Sequence, residues 1–157
     1  MSRSDPGDDL ERAIAFVERR YAITARERLE VIESGATPRF VLVRTRLGCF
    51  WRFRADLPAA PIRELAKLAG REGNVVEPFE AAAPPERAEP MLRVLHRAGI
   101  PVVAMRELLV CRGDGPIESW VWERRRELGA SGASEAVCFA DLISFVDDPN
   151  PQRDSHA

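Results

Sequence analysis

Apolar residues near the start of the chain recur at the spacing of one helix face. This stripe consists of Leu10, Ala13, Ile14, Val17 and Tyr21. Arg19 and Arg20 lie near its end, where positive charges interact favourably with the helix dipole. The spacing therefore predicts a first helix that begins at Pro6 or Asp9 and ends at about Arg20.

Two further helices are predicted from similar stripes, and a glycine that favours termination follows each of them. The second helix begins at Pro58 or Pro61 and ends near Ala69. The third covers about Pro85 to Ala98. Proline is tolerated in a first turn because its missing N–H would have no partner within the helix.

The strongest strand signal is a β-hairpin between Arg39 and Arg54, in which two β-rich runs flank a short loop. A three-residue loop, Arg46–Gly48, with Gly48 in the left-handed conformation gives the most regular register. The facing pairs would be Thr45 with Cys49, Val43 with Trp51, and Val41 with Phe53. One face of the hairpin is then almost wholly apolar, and the register is fixed by that pattern.

Two more strands are predicted, at Pro101–Cys111 and Ala136–Val146, from their runs of Val, Leu, Ile and Phe. Two segments stay open. Tyr21–Ser34 alternates enough for a strand to be plausible, and Ile117–Leu128 fits either a helix or a strand.

These elements predict an α+β fold, with an antiparallel sheet and about three helices in a single domain over residues 1–146. The remaining residues, 147–157, are polar, include two prolines and have no apolar period, so we expect a disordered tail.

Composition excludes several classes of protein. The chain has 157 residues, 45% hydrophobic residues and a net charge of −2, which excludes intrinsic disorder and favours neither a nucleic-acid nor a membrane partner. The longest stretch without a charged residue, Ala98–Met105, is too short for a membrane span. Three cysteines without close pairing suggest free thiols in a reducing cytoplasm. Lys67 is the only lysine, which suggests a GC-rich bacterial genome.

Catalytic chemistry finds little support in the residues. Cys49 would need a base, and the histidines are His96, on the third predicted helix, and His156, in the tail. No cysteine pair has zinc-ligand spacing, and neither a phosphate-binding glycine loop nor a serine-nucleophile motif occurs. We therefore expect no metal and no cofactor. The residues leave enzymatic activity open but favour a chain that is not catalytic on its own.

The hairpin supplies the candidate ligand site. In the predicted register Arg44, Arg52 and Arg54 share one face with Phe50 and other apolar residues. Arginine binds carboxylate or phosphate through two parallel hydrogen bonds, so this patch fits an anionic small molecule or an acidic protein partner. The alternative is that the arginine stems only cover apolar surface while their charged ends stay in water.

A candidate interface lies in the open segment around Trp120 and Trp122. If this segment is helical, the two indole rings point to nearly opposite sides, and one of them is exposed. An exposed Trp often anchors a protein interface, so a homodimer is one expectation for this chain.

Four segments of the chain resemble the N-terminal region of certain two-part bacterial GNAT-family N-acetyltransferases. They are Tyr21–Leu29, Pro38–Thr45, Gly48–Pro58 and Pro84–Arg87. The resemblance covers about residues 21–99. It implies a non-catalytic domain that recognises a substrate or a partner, comparable to the accessory region of such an enzyme.

The acetyl-CoA loop of that family has the pattern Q/R-x-x-G-x-G/A. The nearest match here is Arg126–Ser131, with Ser in the sixth position, and 26 residues follow it. We therefore assign none of that family's catalytic residues to this chain. Two alternatives to a recognition domain remain: a self-associating interaction module, and a degenerate acyltransferase that binds acetyl-CoA through Gly129–Gly132.

Overall fold

A computed structural model describes residues 6–21, 23–24, 26–30, 37–46, 48–73, 85–112, 121–124 and 138–148. The helices in this part are α1 (Pro6–Arg20), α2 (Ala59–Ala69) and α3 (Ala88–Arg97). The strands are β1 (Phe40–Arg44), β2 (Cys49–Phe53), β3 (Val102–Arg112), β4 (Val121–Arg124) and β5 (Cys138–Asp147). The predicted α+β class, with three helices and an antiparallel sheet, is confirmed.

The described strands form one sheet in the order β2-β1-β5-β3-β4, and every neighbouring pair is antiparallel. Within the open segment 117–128, residues Val121–Arg124 are a strand. The last strand extends into the predicted tail, because Asp147 belongs to β5 and the Asp148 N–H donates to the Pro101 carbonyl over 3.0 Å. Residues 149–157 lie outside the described part.

Helices cover both faces of the sheet, which gives three layers. The α1 face packs Val17 against Val41, Val43 and Leu142. The α2/α3 face packs Leu65 and residues of α3 against the strands from the other side. Every residue of β1 is buried as a result, which explains its unbroken apolar run Phe-Val-Leu-Val.

An aromatic stack forms the centre of the α2/α3 face. The Phe40 ring lies 5.3 Å from that of Phe53 on β2 and 5.2 Å from that of Phe145 on β5. Strand pairing dictates this stack, since Phe40 is the ladder partner of both residues. Met91 and Leu95 of α3, both fully buried, complete the same core.

The predicted hairpin register is wrong by one residue. The ladder pairs Arg44 with Cys49 and Leu42 with Trp51, and Thr45 and Gly48 close the turn. The Thr45 N–H and hydroxyl both donate to the Gly48 carbonyl over 2.8 Å. Gly48 does not have a positive φ. The prediction failed because it assumed one buried face, whereas both faces of this sheet are buried and both accept apolar side chains.

A buried ion cluster joins three strands on the α2/α3 face. Asp141 of β5 is fully buried and accepts hydrogen bonds from Arg44 of β1 and Arg106 of β3. The Arg106 Nε–Oδ1 distance is 2.8 Å and the Nη2–Oδ2 distance is 3.0 Å. A carboxylate between two guanidinium groups satisfies charges that would otherwise be costly to bury.

Replacing this carboxylate should destabilise the fold strongly. We expect Asp141→Asn to lower the free energy of unfolding by about 3–5 kcal/mol, because the buried guanidinium of Arg44 and the partly buried one of Arg106 lose the charge they share. Urea unfolding followed by tryptophan fluorescence measures the loss. Glu64→Gln is the matched control, since the exposed Glu64–Arg97 pair should contribute no more than about 1 kcal/mol. Equal losses for both variants would contradict the structural role of the cluster.

Candidate functional site

The candidate site lies along β2, an edge strand of the described sheet, where the segment before β1 folds over it. The Leu29 N–H donates to the Phe53 carbonyl and the Ala55 N–H donates to the Leu29 carbonyl, each over 2.8 Å. The Leu29 side chain is fully buried in the core under α1. These contacts hold the preceding residues against the end of the edge strand.

A tight turn places charged residues above β2. The Thr24 N–H donates to the Arg28 carbonyl over 2.8 Å, and the Arg28 N–H donates back to the Thr24 hydroxyl over 3.2 Å. Glu27 has a φ of 60°, the left-handed conformation that closes the turn. Arg26 and Arg28 lie on either side of Glu27 in this turn.

The turn and the strand enclose an open cleft of about 330 Å³. Its residues are Arg26, Glu27, Arg28, Cys49, Phe50, Trp51, Arg52 and Phe53. The lining combines three guanidinium groups with three aromatic rings and only one carboxylate. We call it the β2 cleft.

Two arginines of the β2 cleft are stacked on aromatic rings. The Arg28 guanidinium lies 5.3 Å from the centre of the Phe53 ring, and that of Arg52 lies 5.5 Å from the centre of the Phe50 ring. The Arg52 Nη1 also donates to the Trp51 carbonyl over 2.9 Å. Stacking orients each guanidinium plane and leaves its N–H edge able to donate to a ligand.

Four buried side-chain donors of the described structure have no hydrogen-bond partner, and the two charged ones, both on arginines, lie in the β2 cleft. The Arg28 Nη1 and the Arg52 Nε are both buried and have no hydrogen-bond partner. None of the ion pairs among the described residues involves Arg28 or Arg52. A buried unsatisfied donor costs about 1–3 kcal/mol, more when charged, so an oxygen ligand that reaches these atoms would be stabilised.

The predicted patch of three arginines does not exist as such. Arg44 lies on the opposite face of the hairpin, bound to Asp141, because of the register shift. Arg54 is buried and donates to Asp56 over 2.8 Å and to the Thr37 carbonyl over 3.0 Å. Its hydrogen bond lowers the pKa of the Asp56 carboxyl. Both guanidinium groups are therefore engaged within the protein.

Two of the predicted ligand residues, Arg52 and Phe50, do lie in the cleft. Arg26 and Arg28 were not predicted, because they fall in the segment 21–34 whose structure stayed open. The alternation of Arg28 and Glu30 with Leu29 and Val31 was the available signal for Arg28, but it did not show which strand this residue would approach. Trp120 lies outside the described residues. Trp122 lies in β4 and is the ladder partner of Cys111 in β3. Its side chain is not among the side chains that the structure describes.

Nucleophilic or metal chemistry finds no support near this site. Burial raises the pKa of the Cys49 thiol to about 11, so it is protonated at neutral pH. The thiol faces the carbonyls of Glu72 and Gly73 at 3.7 and 3.5 Å. His96 is bound instead to the Val102 carbonyl, with Nε2 at 3.0 Å. Among the described residues no group of side chains has the arrangement of a metal site.

Comparison with models of known families, with curated proteins and with solved structures finds no match to this chain. In the part of the chain that the structure describes, no helix is long and apolar enough to cross a membrane.

The raised pKa of Cys49 makes a testable prediction about its reactivity. In a variant with Cys111→Ser and Cys138→Ser, Cys49 is the one remaining thiol of three. Its reaction with iodoacetamide at pH 8 should run at about one hundredth of the rate of free cysteine, because the thiolate fraction is that much smaller. The rate should rise with pH to a midpoint near 11. A midpoint below 9 would instead indicate an activated nucleophile.

Proposed function

We propose that this chain is a non-catalytic recognition domain, as its resemblance to the N-terminal region of two-part GNAT-family N-acetyltransferases implies. On this proposal the β2 cleft binds an oxyanion, a carboxylate or a phosphate, that belongs to a small molecule or to an acidic partner. Arg28 and Arg52 would donate to it from two sides, and Arg26 would add positive charge at the rim.

The unsatisfied donors of Arg28 and Arg52 carry this proposal. The chain offers its own comparison, since the buried guanidinium groups of Arg44 and Arg54 each have a carboxylate at hydrogen-bond distance. Where this protein buries an arginine for stability, it supplies an acid. In the β2 cleft, no carboxylate of the described residues pairs with the two partly buried arginines, and an anionic ligand would supply that acceptor.

The walls of the β2 cleft further define the ligand. Phe50 and Phe53 hold the two guanidinium groups by stacking, so the donors are oriented before a ligand arrives. A volume of about 330 Å³ is at the lower end for small-molecule sites. It fits a compact anionic group or a single acidic side chain better than a large cofactor.

A second candidate function is self-association, which exposed apolar residues of β3 favour. Val103 and Met105 of β3 face the same side of the sheet as α1 and are 37% and 55% exposed. A second copy of the chain could bury these side chains against its own.

The third alternative, a degenerate acyltransferase that binds acetyl-CoA, rests on Gly129–Gly132. These residues lie outside the described part of the structure, so this alternative stays a prediction. Calorimetry with acetyl-CoA tests it directly, and the recognition proposal expects no heat of binding.

Removing the donors of the β2 cleft should abolish anion binding. We expect inorganic phosphate or acetate at millimolar concentration to shift the backbone amide resonances of Phe50–Arg52 in a saturable way. The double variant Arg28→Gln, Arg52→Gln should lose saturation, because its side chains carry no charge and fewer donors. Arg63→Gln, an exposed arginine of α2, is the matched control and should keep the shifts. Shifts that do not saturate, or that persist in the double variant, would overturn the proposal.

Self-association predicts a dimer in sedimentation velocity at high micromolar concentration. Met105→Glu should give a monomer, because a carboxylate on the exposed strand cannot be buried against a second copy without a large desolvation cost. Glu64→Gln serves as a control that leaves the surface of β3 unchanged. A wild-type monomer, or a dimer that survives Met105→Glu, would contradict this candidate.

A further inference from the structure

A second concave surface of the described structure lies between α2 and α3, and the proposed function does not involve it. This groove has a volume of about 570 Å³ and is open to solvent. Its residues are Glu64, Lys67, Leu68, Arg71, Pro90, Arg93, Val94, His96 and Arg97. We call it the helical groove. None of these residues belongs to the β2 cleft.

Both helices present the same spacing to the helical groove. One wall consists of Glu64, Lys67 and Leu68 of α2 and of Arg71, just after the end of α2. The α3 wall consists of Pro90, Arg93, Val94, His96 and Arg97. Apart from Arg71 and His96, the residues of each wall are at positions i, i+3 and i+4, with Arg97 at i+7, so they form one stripe along each helix. Each wall therefore places an apolar residue, Leu68 or Val94, between basic ones.

The charge of the helical groove differs from that of the whole chain. Lys67, Arg71, Arg93 and Arg97 oppose the single carboxylate of Glu64, in a chain whose net charge is −2. Glu64 pairs with Arg97 over 3.2 Å. Lys67, Arg71 and Arg93 are exposed and contact no carboxylate of the described residues. Three positive charges thus remain accessible to a partner.

The floor of the groove determines what kind of anion fits. Leu68 and Pro90 are half-buried and Val94 is buried, so the floor is apolar along the roughly 10 Å that two helical turns span. A phosphate backbone offers no apolar group to cover such a floor. An amphipathic helix with acidic flanks offers both apolar anchors and carboxylates.

We infer that the helical groove docks an acidic amphipathic helix of a partner protein. Apolar side chains of that helix, one turn apart, cover Leu68 and Val94. Its carboxylates pair with Lys67 and Arg71 on one side and with Arg93 on the other. Pairing from both walls fixes the helix along the groove, and the charges accelerate the encounter.

Selection of helical peptides tests this inference even while the natural partner is unidentified. A display library of amphipathic helices with random charged positions is selected against the wild-type chain. We expect the enriched peptides to carry Glu or Asp beside apolar residues spaced i and i+4. Enrichment of basic or uncharged helices, or of none, would overturn the inference.

Variants then locate the binding surface. The double variant Lys67→Glu, Arg93→Glu should lower the affinity for the enriched peptides by roughly tenfold or more, because both walls then repel the peptide carboxylates. Fluorescence anisotropy measures this affinity. Arg63→Glu makes the same charge change on α2 outside the groove and should change the affinity little. Circular dichroism checks that each variant is folded, as expected for substitutions at exposed positions. Equal weakening by Arg63→Glu would mean non-specific attraction and would contradict the proposal.

A competitor separates the proposed partner from a nucleic acid. If a single-stranded oligonucleotide binds the groove and displaces the peptides at equal concentration, the surface recognises polyanions in general and the inference fails. If Leu68→Gln lowers the affinity for the peptides and the oligonucleotide does not compete with them, the apolar floor contributes to recognition, as the inference requires.

Discussion

The fold depends on one carboxylate that is shared by two arginines inside the protein. Asp141 lies on β5, the middle strand of the described sheet, and binds Arg44 on one neighbouring strand and Arg106 on the other. β1 could not bury Arg44 at this position without that acid. The cluster also requires the observed register, because only the pairing of Arg44 with Asp141 brings the first guanidinium to the carboxylate.

The same requirement divides the buried and partly buried arginines of this chain into two groups. Arg44 and Arg54 are buried beside acids of the protein itself, and they hold strands and turns in place. Arg28 and Arg52 are stacked on aromatic rings, and each has a buried donor that no acid of the described residues reaches. A domain can retain such donors at a cost in stability when a ligand regularly satisfies them. These donors are the reason why we propose the β2 cleft as a site for recognition.

Local patterns in the sequence were sufficient for the fold class but not for the site. The helices were predictable because apolar stripes and a terminating residue such as Gly99, with a φ of 79°, are local signals. The hairpin register depends on what covers each face, which is a non-local property. Its error of one residue placed Arg44 beside Arg52, whereas the structure puts them on opposite faces. Arg28 was not predictable, since only the contact of Leu29 with Phe53 brings it to the edge strand.

A crystal structure of the full chain grown in phosphate is the sharpest test of the β2 cleft as an anion site. We expect a phosphate in the β2 cleft, within hydrogen-bond distance of the Arg28 Nη1 and the Arg52 Nε, with Arg44 still bound to Asp141. An empty β2 cleft, with a carboxylate of the chain itself on those two donors, would contradict this assignment.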